Sequence, residues 1–411
     1  MIRLIFILTM SLVSLGGVRA VVKNDDVHQS GQGSDKPITI NLSKPPSSHK
    51  VTFKLSDLME DIEYIPLETS PASFMSGRAD MITLTKDYIF IHEVWTIFQF
   101  RRDGKFVRKV NRSGRGPNEG FARISCFDDV NKRIYIYEHY THNIMVFDFD
   151  GKFINRLKDP FDNMVGSRVG SMFCDEKGFL LLLFENAQGN MMYKYAVLSP
   201  ALEVVHKEPN YDLCKINKRV IESTTPFLTL YKCKDNLIYW NTHSDTIFKI
   251  NADYTCSPSF VINLPNRLTL EDKVKAGAYL KEYSSMQSKN DVYLIAETDR
   301  YLYIYIVSSM FNHDNNKTFM TLYNKETKEL KEYGDVKMIN DFDGGMTITR
   351  GLYGDTYVTE LLDVMDARRI LTPEHFASTK VIHPEKRDKL KKMVSGLKDE
   401  DNPIVVIYKR K

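Results

Sequence analysis

"YIFIHEVWTIFQFRRDGKFVRKV" (Tyr88–Val110) and "RIYIYEHYTHNIMVFDFDGKFINRL" (Arg133–Leu157) are two copies of one pattern. Each has a short β run, a polar loop, a second β run ending in Phe, then Asp-Gly-Lys-Phe and a third run. Asp-Gly between alternating apolar runs marks a hairpin, because both residues tolerate the positive φ of a tight turn. The pairs Asp103-Gly104 and Asp150-Gly151 therefore place the same turn in two consecutive units.

Weaker copies extend the series. "FLLLLFENAQGNMMYKYAVLSPALEVVHKE" turns at Ser199-Pro200, and "NLIYWNTHSDTIFKINADYTCSPSFVINL" at Ala252-Asp253. "YLYIYIVSSMFNHDNNKTFMTLYNKETKELKEY" is a fifth copy, and "MTITRGLYGDTYVTELLDV" opens a sixth. A further short run such as "FARISCF" or "FLTLYKC" precedes each, giving four strands per unit at roughly 40 to 50 residues, the size of a propeller blade. The expected fold is all-β: a six-bladed β-propeller of four-stranded antiparallel blades. The sixth unit lacks outer strands, which "IVVIYKRK" at the C terminus and "IEYIPLE" near the N terminus can supply, closing the ring and hiding sheet edges. Two helical insertions are expected on the ring, Leu268–Met286 with Thr269 as N-cap and a segment starting at Pro384.

Composition agrees with a sheet protein. The 411 residues include 23 Phe and 22 Tyr against 2 Trp. A formal charge of +3 and no basic run argue against nucleic acid as partner. At the N terminus, Arg3, the apolar "LIFILTMSLVSLGGV" and Val18-Arg19-Ala20 read as an export signal over residues 1–20, too short for a convincing membrane span. Residues 21–36 read as a flexible tether, and 37–411 as the propeller. No cysteine stands near the expected cut, so a lipid anchor lacks support. The five cysteines contain no CxxC and no zinc spacing, and read mostly as buried free thiols.

"GRGPNEGFARISCFDDVNKRIYIYEHYTHNIMVFDFDGKFINRL" resembles NHL-type propeller repeats. Together with "LSDLMEDIEYIPLET" and "DNPIVVIYKRK", it is similar to a six-bladed propeller family of exported Bacteroidetes proteins, over about residues 37–411. Many members of that family carry a lipobox cysteine, which is missing here. The resemblance implies a binding or scaffolding propeller, sometimes encoded near glycan-uptake systems.

Candidate site residues follow from topology. Loops between the second and third strands of a blade, and the blade-to-blade connections, emerge on one face, the usual ligand face of a propeller. Trp95, Glu138, His139, His142, His243, Asp245 and His313 fall in such loops, with His92, Glu93 and Asp314 beside them; Arg115 and Glu119 fall in the connection "NRSGRGPNEG". That connection is followed by strand rather than helix, so it is a hinge and not a phosphate loop. The histidines raise a metal or catalytic centre as one reading and ordinary polar loops as another; no HxH, HExxH, GxSxG or Walker spacing favours chemistry. Carboxylate pairs such as Asp128-Asp129 and Asp341/Asp343 suit turns. No catalytic residue, metal or cofactor is assigned. The expected function is an exported, periplasmic or secreted, monomeric binding propeller with no membrane span after cleavage, facing an envelope protein or a carbohydrate. The alternative is a propeller hydrolase or lyase using the histidine-bearing loops.

Overall fold

The computed structural model describes residues 36–42, 50–77, 79, 81–138, 140–161, 169–214, 228–278, 286, 288–308, 317–348 and 357–411. The expected export signal lies outside these, as do nearly all of the expected tether, His139 and His313. The described residues belong to one compact unit, Lys36–Lys411. Among them, no helix is long and apolar enough to cross a membrane.

The N-terminal part supplies β1 (Ile38–Asn41), β2 (Lys50–Lys54), a one-turn α1 (Leu55–Leu58) and β3 (Met59–Pro66). Blade 1 is β4 (Met81–Leu84), β5 (Tyr88–Glu93), β6 (Thr96–Arg101) and β7 (Phe106–Lys109). Blade 2 is β8 (Ala122–Asp128), β9 (Arg133–Glu138), β10 (Asn143–Asp148) and β11 (Phe153–Lys158). Blade 3 is β12 (Val169–Cys174), β13 (Leu180–Phe184), β14 (Tyr193–Leu198) and β15 (Val204–Pro209). Blade 4 is β16 (Leu228–Cys233), β17 (Asn236–Asn241), β18 (Thr246–Ile250) and β19 (Cys256–Asn263); α2 (Leu270–Ala278) follows it. Blade 5 is β20 (Asn290–Glu297), β21 (Tyr301–Ser308), β22 (Lys317–Asn324) and β23 (Leu330–Tyr333), after which comes β24 (Asp335–Ile339). Blade 6 joins β25 (Tyr357–Leu362), β26 (Ile404–Arg410) and β3, three strands among the described residues. Between β25 and β26 lie α3 (Val364–Ile370), α4 (Pro373–Ser378) and α5 (Pro384–Gly396).

Side-chain alternation explains why the sheets form a ring. Strand neighbours point to opposite faces, and the middle strands of a blade are covered on both. In β5, Ile89 and Ile91 pack with Ile65 and Val405 of blade 6, while Phe90 packs with Ile134 and Ile136 of blade 2. In β9, Tyr135 and Tyr137 turn the other way, onto Leu180 and Leu182 of blade 3. Leu181 and Leu183 then face Tyr239 of blade 4. Two more apolar clusters fill the gaps between blades 4 and 5 and between blades 5 and 6. Each gap is a sheet-on-sheet core, and six gaps close the circle.

The Asp-Gly turns behave as expected. Gly104 adopts φ +83°, and a Cβ there would stand 2.2 Å from the Pro66 carbonyl, so only glycine lets this hairpin approach the closing strand. The register shifts by a residue beside the same hairpin in four blades, at Gln99/Phe100, Val146/Phe147, Val197/Leu198 and Ile247/Phe248. A bulge at this place twists each outer strand.

Closure uses both termini. β26 lies between β25 and β3, with Val405 opposite Ile65 and Ile407 opposite Glu63. Two pairings exceed the expected scheme. β1 adds a fifth, parallel strand to blade 4, with Ile40 opposite Ile262, and β2 pairs in parallel with β24. The expected helices are present: Thr269 and Asp272 cap α2 reciprocally, and α5 starts on Pro384 and buries Leu390 and Val394. The additional helices α3 and α4 are capped by Asp363 and Thr372. All three C-terminal helices pack on the closing sheet, where Ala367, Phe376 and Leu390 share a cluster with Met59, Ile62 and Val406.

Candidate functional site

The connection between blades 1 and 2 is held by a buried latch. Asn111, just past β7, accepts the Ile97 amide at 2.9 Å and donates to the carbonyls of Trp95 at 2.9 Å and Gly120 at 3.2 Å. The second-to-third strand loop of blade 1 is thus tied to the connection that follows the blade. Equivalent positions past the outer strands of blades 2 and 3 carry Asp159 and Asn210, both buried and both bonded to loop backbone or to a loop-facing side chain. Asn340, buried just past β24, accepts the Phe342 amide at 3.0 Å. Asn111, Asp159 and Asn210 are not singled out by the sequence analysis, although an Asn or Asp one or two residues past the outer strand of three consecutive blades is a visible regularity.

Within "NRSGRGPNEG" the two candidates diverge. Glu119 folds back, its carboxylate accepting the Gly116 amide at 3.0 Å, while Arg156 of β11 donates to its carbonyl at 2.8 Å. A Cβ on Gly114 would lie 2.1 Å from that carboxylate, so the glycines make room for Glu119. Arg115 is exposed on the same loop, with no hydrogen bond or ion pair among the described residues.

Aromatic side chains gather beside it. Trp95 meets Phe121 edge to face at 6.0 Å, and Phe121 meets Tyr140 edge to face at 5.1 Å. Tyr140 is 58% exposed, whereas Trp95 and Phe121 are half-buried. Loops of blades 1 and 2 and their connection therefore present one aromatic edge, built on hydrogen-bonded backbone.

The ionisable candidates are engaged elsewhere. Glu138 is buried, which pushes its carboxyl up. The Thr141 hydroxyl and amide and the Phe121 and Tyr140 amides outweigh that, holding it below the usual range. It works as a loop staple. His142 sits at φ +53° and stacks on Tyr137, centroids 6.0 Å apart. Asp245 is exposed and accepts the Thr246 hydroxyl at 2.7 Å. His92, expected on the same face, is 2% exposed, with Nδ1 3.0 Å from the Ser125 hydroxyl and Nε2 3.1 Å from the Ala122 carbonyl. The carbonyl requires a proton on Nε2, leaving Nδ1 to accept from Ser125. Glu93 accepts the amide and hydroxyl of Ser76.

His243 is different. Neither ring nitrogen makes a well-formed hydrogen bond, and both are buried. Burial first, then the charges of Lys273 and Arg267, pull its pKa down to about 3, with the Asn186 backbone opposing. Lys273 and Arg267 share Asp291, at 2.6 Å and 3.4 Å, and both reach the Thr242 carbonyl. This polar knot joins the blade 4 loop to α2. The three described candidate histidines, His92, His142 and His243, thus stand on three different blades, and no group of three or more His, Cys, Asp or Glu suited to a metal stands among the described residues. The carboxylate pairs serve turns and caps: Asp128 accepts the Val130 and Asn131 amides, and Asp341 accepts the Ser56 amide and hydroxyl.

Comparison with known proteins adds the following. A family model described as Domain of unknown function (DUF4934) matches residues 37–409. No curated protein matches the sequence. Among solved structures, a Bacteroides fragilis protein inferred to be exported superimposes with TM-score 0.60 at 15% identity, covering 88% of this chain and 99% of that one. At that identity the likeness concerns the fold alone. A DUF4221-family protein of Bacteroides vulgatus aligns with TM-score 0.45 at 9% identity, covering 86% of this chain and 97% of its own.

Proposed function

The chain belongs to the DUF4934 family, and from that premise we propose that it is an exported, non-catalytic binding propeller. Its recognition surface is the Trp95–Phe121–Tyr140 edge with Arg115 beside it. The observation that supports this most is the contrast within one loop system: Glu119, Glu138 and Asn111 are consumed in holding backbone, while Tyr140 and Arg115 are left facing outward. A fixed aromatic edge with a neighbouring guanidinium suits a saccharide chain, whose apolar ring faces lie on aromatics while its hydroxyls or carboxylates meet arginine. Fixing the loops in advance lowers the ordering cost of binding.

Export is supported by the N-terminal charge, apolar run and small-x-small site, and the Bacteroides fragilis neighbour is likewise inferred to be exported. Catalysis by the histidine loops finds less support. His92 is locked between blades, His142 stacks, and His243 stays neutral until strongly acid pH.

The test is a glycan array beside capture from native envelope, using the full chain and the variants Trp95→Ala, Tyr140→Ala and Arg115→Ala. We expect saccharide binding that falls at least about tenfold in each variant, with unchanged melting of the Arg115 variant. Capture of one envelope protein by the same surface, without glycan binding, would replace the saccharide by a protein partner. Binding unaffected by all three substitutions would overturn the assignment of the surface.

A further inference from the structure

Two of the five cysteines approach each other across a blade boundary. Cys126 lies on β8, the first strand of blade 2, and Cys174 ends β12, the first strand of blade 3. These strands pack side by side, and the two sulfurs are 2.9 Å apart. The other three thiols have different neighbours. Cys256 donates to Glu208 at 3.0 Å, Cys233 accepts from Lys325 at 3.7 Å, and Cys214 lies against Gly189.

We propose that Cys126 and Cys174 are a disulfide site that staples blade 2 to blade 3 in the exported protein. The inference rests on the export reading, since such bridges persist only in oxidising compartments. It replaces the expectation of free thiols for this pair and keeps it for the other three.

The chemistry is exchange with an external disulfide, either a protein dithiol oxidant or a small-molecule disulfide. One cysteine, as thiolate, attacks a sulfur of the oxidant, forming a mixed disulfide and expelling the first thiolate. The second cysteine then attacks its partner's sulfur and expels the other. Two electrons and two protons pass to the oxidant, which leaves as two thiols. In the folded chain the hydrogen bond to Cys126, and then burial, hold the Cys174 thiol well above its ordinary range. A thiol that resists ionisation is slow in exchange, so the bridge is installed while the chain folds.

Two arms test this. The full chain is expressed with its own N terminus in a bacterium with an oxidising periplasm, fractionated, unfolded in alkylating denaturant and analysed by mass spectrometry without reductant. The five cysteines then leave three alkylated thiols and one linked peptide pair, Cys126 with Cys174. In the second arm, purified protein is reduced, unfolded and refolded with oxidised glutathione. The same link is expected there, and Cys126→Ser and Cys174→Ser each abolish it. If the chain stays in the cytoplasm but refolding yields the link, the export reading fails and the pairing stands. Five alkylated thiols after oxidative refolding, or a link between any other two cysteines, overturns the pairing.

Discussion

At the scale of the residue, charged side chains of one loop take opposite roles. Glu119 and Arg115 are four positions apart, yet one is folded onto its own loop and the other faces water. Glu119→Ala removes a charge-assisted bond to the Gly116 amide and should lower stability by about 1 to 2 kcal/mol. Arg115→Ala should leave stability unchanged while weakening binding. Urea unfolding of both variants separates these roles, and equal midpoints would show that Glu119 is no latch. His243 supports a second prediction. Folded, it stays neutral down to about pH 3, while an unfolded imidazole takes up a proton near 6.5. The unfolded state therefore binds more protons between those values. Stability owed to this site is intact above pH 6.5 and falls as the solution is acidified. Between about pH 7.5 and 5, wild type should lose about 2 kcal/mol more than His243→Gln, at about 1.4 kcal/mol per unit below 6.5. Parallel pH profiles for the two proteins would mean that His243 titrates normally.

At the scale of the element, each blade is a local object, and this is why so much of it could be read in one dimension. The period-two runs, the Asp-Gly turns and the Thr269 and Pro384 helix starts are all written within a few residues of where they act. The missed features depend on distant partners or on ambiguous residue types. The strand β1 has four residues and exists by pairing with β19, far along the chain. The helices α3 and α4 were not expected, because their caps Asp363 and Thr372 stand beside a run that also suits a strand. In the candidate site, Trp95, Arg115, Glu119, His142, His243 and Asp245 lie between strands as expected, whereas Glu138 ends β9 and His92 and Glu93 lie within β5. Which carboxylate would be consumed by backbone amides was not legible, because Asp and Glu serve loop latches and ligands with the same chemistry. Asn111 is the strongest latch. Asn111→Ala strips a partner from the Ile97 amide and from two carbonyls in a buried loop, and should cost about 2 to 4 kcal/mol. A denaturation midpoint near that of wild type would mean that water replaces the side chain.

At the scale of the whole molecule, the ring holds because its ends share one sheet. A linear array of blades would leave open edges at both ends, each a template for pairing with another chain. Here β3 covers β26, and the seam is reinforced by hydrogen bonds from the segment that follows β3. Asn402 accepts the Met75 amide and donates to the Glu68 and Ser73 carbonyls, while the Glu68 amide donates to Gly104 of blade 1. The first blade and the last are thus joined through one short segment. Removing residues through Glu68 uncovers the edge of Ile404–Arg410, where Val405 and Ile407 are buried at 0% and 2% exposure, and also deletes β1 and β2. The single change Ile65→Asp keeps those strands and puts an unpaired carboxylate into the cluster between blades 6 and 1. We expect the truncated chain to self-associate, and Ile65→Asp to unfold at markedly lower urea, with the blade 6 to blade 1 seam opening first. Deletion through Asp35 should change neither property. Light scattering reads the association, and hydrogen exchange at β4 and β26 reads the seam. A truncated chain that remains monomeric and unfolds in one transition at the wild-type midpoint would mean that the ring does not depend on its closing strand.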